Sequence, residues 1–518
     1  MRTPVLPSTG ALRPASATVE GGFWAARDAN VVIEHCLESL EREGWIQNFR
    51  DFGGRGREFA DSEVYKTLEA MAWASHSRLD EVARVVKGAQ QPDGYLNTRF
   101  KDARYTDLEW GHELYCYGHL IQAGVAGARS GGSSLVEIAI RAADHVVGFE
   151  RYCGHPGIEM ALVELYRVTG SSKYLDQAKS FVDRRGSKLL GDIAFGRAYF
   201  QDDMPVRERR VFAGHAVREL YLACGAVDVA VETGDSVLLK TIIEQYDRTL
   251  ERRTYITGGM GSRRADESFG EDFELPPEGA YSETCAGIAS VMLAWRLLLA
   301  TGSHRWADVI ERTLYNVVAA SPSADCRSFF YANPLGWSGR DSGRFEVAGQ
   351  RAPWFEVSCC PTNLARTFAS LACYLATSTD DGVQIHQYAP GVVRAGDIEL
   401  RVETAYPWDG RVTVTVVETP AREWELKLRV PGSGYQRQRK RWRPGDSAVL
   451  ELPVSLRLVE ADPRIEAVRG CVAVERGPLV YCAETTVADG VTTLVPYHSW
   501  ANRGPSTMRV WVPLTTGA

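Results

Sequence analysis

The chain has 518 residues, enough for more than one domain and a sizeable core. Its 59 basic and 66 acidic residues leave a formal net charge of −7, which gives no sign of a polyanion-binding surface, so nucleic acid is not an expected partner. The N-terminal stretch carries Arg2 but no apolar segment of signal-peptide length, and no run of about 18 apolar residues stands out; no membrane partner is expected, and the cytoplasm is the expected location.

After a loop-rich entry to about Gly21, helical periodicity covers 23–45. A second helix begins near Asp61, with a partner over 80–90. Gln91-Pro92-Asp93-Gly94 then reads as a turn, and a connector at that. An internal repeat follows over 111–147, 154–184, 214–250 and 281–318. Each copy is an apolar helix, a break and an amphipathic helix. The breaks are Ser130-Gly131-Gly132, Thr169-Gly170-Ser171, Thr233-Gly234-Asp235 and Thr301-Gly302-Ser303, where Gly supplies a left-handed cap. Helical hairpins of this kind bury their apolar faces only by stacking on neighbours. With the two earlier pairs the count approaches six, and a closed ring leaves no apolar end, so an (α/α)6 toroid is predicted.

A last helix is predicted over 361–376. From about Gly382 the pattern changes to short alternating runs at 382–386, 397–404, 411–418, 423–430, 448–452, 471–474 and 478–484, separated by Pro, Asp and Gly turns. These predict a β-sandwich. The expected fold is thus multidomain α and β: an α/α toroid catalytic domain over 1–380 and a β-sandwich accessory domain over 381–518.

Two stretches concentrate the chemistry. Ser282-Glu283-Thr284-Cys285 sets a carboxylate two residues before a thiol, and Ser358-Cys359-Cys360-Pro361 supplies two adjacent thiols. Together they offer four ligands of the kind that favours tetrahedral zinc. The alternatives are ordinary buried thiols or a strained vicinal disulfide, and the familiar C-x2-C zinc spacing is absent. The eleven cysteines are odd in number and scattered, which suits reduced thiols. Histidines recur at the start of three hairpins: His112, His155 and His215 each follow a Gly. Glu159 and Glu219 lie one helical turn beyond the last two, and His119 two turns beyond His112. The helix starts are expected to line one pocket. Before the fourth hairpin, the loop 256–262 is Gly-rich without phosphate-loop spacing and reads as flexible backbone. The acidic run Asp266, Glu267, Glu271, Asp272 and Glu274 reads mostly as surface charge, with one proton donor among it.

Several blocks together resemble glycoside hydrolase family 127, the β-L-arabinofuranosidase family. They are Gln90-Gln91-Pro92-Asp93-Gly94-Tyr95-Leu96, Glu113-Leu114-Tyr115-Cys116-Tyr117-Gly118-His119, Ala265-Asp266-Glu267-Ser268-Phe269, the two cysteine motifs extended to Thr362-Asn363, and Gly477-Pro478-Leu479. The resemblance implies a helical toroid followed by β-sandwich domains. It further implies Cys359 as nucleophile, Glu267 as general acid/base, and zinc held by Glu283, Cys285, Cys359 and Cys360. His119, His155, His215 and Tyr331 would bind the sugar. The reaction would be retaining cleavage of non-reducing terminal β-L-arabinofuranosyl or closely related residues through a thioglycosyl enzyme. Glu267 must then hold its proton at rest, with Glu271 and Asp272, or burial, as the expected cause. Asp266 departs from the small residues common before the acid/base, which bears on leaving-group recognition. A small oligosaccharide or glycoside is the expected substrate, and a homodimer is compatible with the sequence. Two rivals stand beside this reading: a sugar epimerase or isomerase on a helical toroid, which gives the four zinc ligands no task, and a noncatalytic carbohydrate-binding protein with structural zinc.

Overall fold

The computed structural model describes residues 2–132, 134–191, 193, 195–339, 350–488 and 490–514. The chain forms two compact units. One comprises Met1–Gly10, Ala29–Thr249 and Trp354–Leu371; the other comprises Ala11–Asp28, Leu250–Pro353 and Ala372–Ala518.

The first unit is helical. Three of the predicted hairpins are Glu113–Arg129 with Leu135–Val146, Ile158–Thr169 with Ser172–Arg184, and Ala216–Thr233 with Ser236–Arg252. Its other long helices are Ala29–Arg42, Ala60–Ala74, Leu79–Ala89 and Cys359–Ala369. The first helix of each hairpin is buried almost all round, as its uniformly apolar sequence requires, while the second buries one stripe and shows its charged face to water. Gly170 and Gly234 end their helices in the left-handed conformation, at φ 73° and 69°, as predicted. The first hairpin differs: Ser130 closes the helix, and the left-handed residues are Gly131 and Gly132 beyond it.

The second unit combines one hairpin with three sheets. Thr284–Thr301 packs on His304–Thr313, which runs on as a π turn over Leu314–Val318. Thr284–Thr301 is long and apolar enough to cross a membrane by composition, contrary to the sequence expectation, but 89% of it is buried within the protein, and Arg296 lies in it. It is a core helix. Sheet one orders Arg13–Pro14, Ala376–Thr379, Gly382–Ile385, Trp424–Val430 and Gly434–Lys440. Sheet two orders Ser447–Glu451, Arg411–Glu418, Ile398–Thr404, Gly391–Ala395 and Ser16–Ala17. The N-terminal residues therefore pair into both sheets, which the alternating pattern of the C-terminal part could not show. The hairpin is fixed to sheet one by the fully buried Arg429, whose guanidinium reaches Asp308 and Glu311 at 2.5 Å each. Such a pair is costly to break from one side, because the partner charge stays buried.

The third sheet follows the path Leu456–Glu460, Cys471–Arg476, Leu479–Thr486, Ser506–Arg509 and Gly336–Trp337. Its apolar face grips the loop after the fourth hairpin. Phe330 stacks on Trp500 with centroids 4.9 Å apart, the Tyr497 hydroxyl donates to Pro334 O at 2.8 Å, and Val510 N donates to Leu335 O at 2.9 Å. The β-rich part thus holds the backbone on either side of Tyr331.

Candidate active site

In the helical unit, Cys359 and Cys360 open the helix Cys359–Ala369, which starts two residues earlier than its sequence predicts. Pro361 marked the expected start; in the first turn its missing N–H would have had no intrahelical partner, so the helix accommodates it there. The shift matters chemically, because a helix N-terminus favours thiolate over thiol. The two sulfurs lie 3.8 Å apart, far beyond a disulfide bond. Two sulfurs each about 2.3 Å from one tetrahedral zinc lie about 3.8 Å apart, so this pair fits as half of such a donor set.

The first turn is bolted down from behind. The Thr362 hydroxyl donates to Glu63, whose carboxylate also takes Lys66 Nζ at 3.1 Å on both oxygens, and both charged side chains are fully buried. One turn on, Arg366 donates to Glu69 at 3.0 Å and to the Tyr221 hydroxyl at 2.8 Å. The helical pattern marks neither Lys66 nor Arg366 as interior, since charged residues belong on the wet face unless a tertiary partner draws them in.

The histidines form a row of rings in the same unit. His112 and His155 are 5.7 Å apart between centroids, His155 and His215 5.9 Å, and Tyr115 lies 4.1 Å from His155. His119 stands behind Tyr115 at 4.6 Å, one ring further in. His112, expected with His155 and His215 from its place after Gly, belongs to the row, and Tyr115, which the sequence reading did not single out, joins it. The tautomers follow from the partners. His155 Nδ1 faces Pro156 O at 2.7 Å and His112 Nδ1 faces Trp110 O, so both donate there and leave Nε2 as an acceptor. His215 caps its helix, with Nδ1 accepting from Arg218 N at 3.5 Å, so its Nε2 carries the proton and donates. Three are held neutral: burial and then Arg218 hold His155 well below its usual range and His112 down to about 3, while burial, Lys66 and Arg366 depress His119.

These shifts predict a pH dependence. A depressed imidazole stays neutral where the unfolded chain would bind a proton, so the stability it gives above about pH 6.5 is lost as pH falls toward 3. Burial raises Glu113 and Glu219 from 4.5 to about 7, with the opposite sign: their contribution is complete below pH 4.5 and lost as pH rises through 7. The melting temperature is expected to peak near pH 6 and to drop by roughly 5 °C or more at pH 4.5. A scan that stays flat between those two values would contradict the burial of neutral rings.

The second unit holds the remaining predicted residues. Glu283 is the N-cap of Thr284–Thr301 and Cys285 lies in its first turn, with a carboxylate oxygen and the thiol within 4.8 Å of each other. The loop carrying Tyr331 braces this start: Thr284 N donates to Tyr331 O at 2.9 Å, and Asn333 Nδ2 donates to Ser282 O at 2.9 Å. The Gly-rich loop is not flexible, as had been expected, but a buried turn. Tyr255 N donates to Gly259 O, Ser282 N donates to Gly261 O, and a Cβ on Gly259 would collide with Ser282 Oγ. The glycines are there for close approach.

Glu267 sits half-buried between Arg263 and Ser268, which bridge as a tight turn, and its φ of 61° is strained for a side-chain-bearing residue. Its carboxylate lies within 4.8 Å of that of Glu283. The neighbours expected to act on it are engaged elsewhere: Asp272 pairs with Arg252 and Arg253, and Glu271 lies 3.7 Å from Arg253 and from Arg263. Glu283 is thus the carboxylate beside Glu267.

Neutral imidazoles with fixed donors and acceptors suit an uncharged, polyhydroxylated ligand, and a carboxyl set on a strained turn suits proton transfer to a departing oxygen. That combination, on helical hairpins followed by β-sheets, is the equipment of a glycoside hydrolase. Residues 24–373 match the β-L-arabinofuranosidase, glycoside hydrolase family 127 catalytic domain; residues 382–433 match the middle domain and 456–513 the C-terminal domain of the same family. The chain is 31% identical to a non-reducing end β-L-arabinofuranosidase of Bifidobacterium longum subsp. longum, over 88% of this chain and 89% of that protein. Among solved structures it resembles a family 127 β-L-arabinofuranosidase from Geobacillus stearothermophilus, with a TM-score of 0.90 and 32% identity over 96% of this chain and 99% of that one. A second family 127 β-arabinofuranosidase gives 0.88 and 31% over 99% and 98%. The chain belongs to glycoside hydrolase family 127.

Proposed function

We propose that the protein is a retaining glycosidase that removes non-reducing terminal β-L-arabinofuranosyl residues, with Cys359 as nucleophile and Glu267 as acid/base. The observation that carries this is the family match along nearly the whole chain, to relatives whose names state that activity, on a sequence that keeps the thiol pair at a helix start. Cys359 is half-buried, whereas Cys285 and Cys360 are buried, which supports Cys359 as the thiol a substrate reaches.

Glu283, Cys285, Cys359 and Cys360 would hold zinc, each pair from one helix start and both within the matched catalytic domain. When bound, zinc keeps the thiols ionised near neutral pH. Three thiolates and a carboxylate outweigh the charge of a dication; Lys66, buried behind the first turn of Cys359–Ala369, is already paired with Glu63, so the pair fixes that turn without adding net charge.

His155 accepts from one sugar hydroxyl through Nε2 and His215 donates to another, with His119 and Tyr331 completing the contacts to the glycon. The Cys359 sulfur forms its bond to the anomeric carbon as the bond to the leaving oxygen breaks, and Glu267 supplies that oxygen's proton. Glu267 then takes a proton from water, whose oxygen displaces the sulfur and restores the original configuration. The residues to about 380 act as the catalytic portion and the remainder as its support. None of the eleven cysteines is in a disulfide among the described residues, which agrees with work in the cytoplasm on small glycosides.

Metal analysis tests the centre directly. Purified protein is expected to carry about one zinc per chain, to lose both metal and turnover on dialysis against a strong chelator, and to recover both with added zinc. Full activity in protein stripped of metal would sink the zinc assignment.

A further inference from the structure

Among the described residues only three Phe or Trp side chains are exposed, Trp110, Phe195 and Trp408, and two of them meet at one tyrosine. Tyr199 lies 5.7 Å from Trp110 and 5.1 Å from Phe195 between centroids, and 5.5 Å from His215. The row of rings that begins at His112 thus continues past His215 and changes character. Its inner part is imidazole, with nitrogens for hydroxyls; its outer part is hydrocarbon, 37% exposed at Trp110 and 48% at Phe195.

The outer part is built, not accidental. Trp110 N donates to Asp107 Oδ1 at 2.9 Å, and Gly191 N donates to Glu109, tying the loop that carries Trp110 to the start of the one that carries Phe195. Beneath them the buried Arg218 guanidinium lies 5.5 Å from the Trp110 ring and 5.0 Å from the Tyr199 ring. The same residue depresses the basicity of His112 and His155, so it faces both halves of the row. Two exposed aromatic side chains meeting at one tyrosine beside the histidine row make a patch of the kind that marks a ligand-binding groove.

We propose that Trp110 and Phe195, backed by Tyr199 and Arg218, form the subsite for the leaving group: a stacking platform for the ring of the sugar to which the terminal arabinofuranose is joined. This rests on the glycosidase reading, with the histidines binding the glycon, and adds what the enzyme recognises beyond it. The apolar C–H face of a sugar ring lies on the aromatic faces, while its hydroxyls stay in water, so the platform selects a ring-bearing aglycone over a small alkyl one.

The test compares kcat/KM for a β-L-arabinofuranosyl disaccharide with kcat/KM for methyl β-L-arabinofuranoside, in the zinc-loaded full chain and in Trp110→Ala, Trp110→Phe and Phe195→Ala. The disaccharide-to-methyl ratio is expected to fall about tenfold in Trp110→Ala, through KM, less in Phe195→Ala, and to recover in Trp110→Phe. A ratio within twofold of wild type in both alanine variants overturns the platform while leaving the glycosidase reading intact. Wild-type protein that cleaves neither substrate overturns that reading and the platform with it. Should Trp110→Ala fail to fold, Phe195→Ala decides the matter, since Phe195 is 48% exposed and its ratio is expected to fall; a ratio within twofold of wild type there overturns the platform.

Discussion

Cys359→Ala is expected to abolish release of the chromophore from an aryl β-L-arabinofuranoside, lowering kcat/KM by roughly 10³-fold or more. The reason is that no other group here can take the nucleophile's place. Cys360 is adjacent in sequence but buried, and its side chain leaves the helix about 100° away from that of Cys359. Loss of fold would not explain the result: Cys359 is half-buried at the first position of its helix, and the strut of Thr362, Glu63 and Lys66 that fixes that helix does not pass through its side chain. Cys359 is also one of the four proposed zinc donors, so zinc content is measured beside turnover: with Glu283, Cys285 and Cys360 left, the variant is expected to keep metal at saturating zinc and a melting temperature within a few degrees of wild type. Cys360→Ser gives the complementary control, since it keeps the proposed nucleophile while removing a donor, and its zinc content should fall with its activity. If Cys359→Ala retained even a tenth of wild-type turnover, the thiolate mechanism would fail and direct displacement by water would replace it.

What the sequence revealed of this fold, and what it concealed, divides along a physical line. The helical hairpins were legible because each carries its own information: an apolar helix, a Gly that adopts positive φ at Gly170 and Gly234, and an amphipathic partner. Strands such as Arg411–Glu418, where buried and open positions alternate, were legible for the same reason. Gly434–Lys440 was not, because an edge strand rich in Arg and Lys shows no apolar period, and neither were the two-residue strands near the N-terminus. Their identity lies in what they pair with.

The candidate site divides in the same way. The thiol pair, Glu283, Cys285 and the histidines announce themselves by residue type, and three of the histidines by their place after Gly; His112 and His215 are indeed the N-caps of their helices, whereas His155, expected in a first helical turn, lies just before the helix that begins at Ile158. Tyr115 does not, because its place between His155 and His119 is a tertiary fact. Lys66 is the extreme case. Pattern assigns a lysine in a helix to the solvent face, yet it is fully buried against Glu63. Only the three-dimensional arrangement, with a helix start bearing thiols docked on that pair, gives the charge a purpose. The Gly-rich loop misleads in the opposite direction: glycine permits both flexibility and close approach, and sequence does not say which until Ser282 is found against Gly259.

Glu267→Gln is expected to separate the two halves of the reaction. A glutamine matches the carboxyl in shape and keeps hydrogen-bonding capacity on the strained turn between Arg263 and Ser268, but it can neither give nor take a proton. With an alkyl or sugar leaving group, which needs that proton, kcat/KM should fall by about 10²- to 10⁴-fold. With a nitrophenyl leaving group, stable as the anion, sulfur attack should survive while hydrolysis of the thioglycosyl enzyme slows for want of a base. A burst of nitrophenol, close to one per active site, should then precede a slow steady state, and intact-protein mass should show the sugar retained on the enzyme. Added azide, which attacks without needing a base, should restore turnover of the nitrophenyl substrate and yield a β-configured azide product. The carboxylate beside Glu267 is Glu283, assigned here to the metal, so the variant also asks whether the two acids act separately. Zinc content should be unchanged in Glu267→Gln and reduced in Glu283→Gln. Uniform loss on both leaving-group classes, with no burst and no azide rescue, would remove Glu267 from the acid/base role and turn attention to the histidine row.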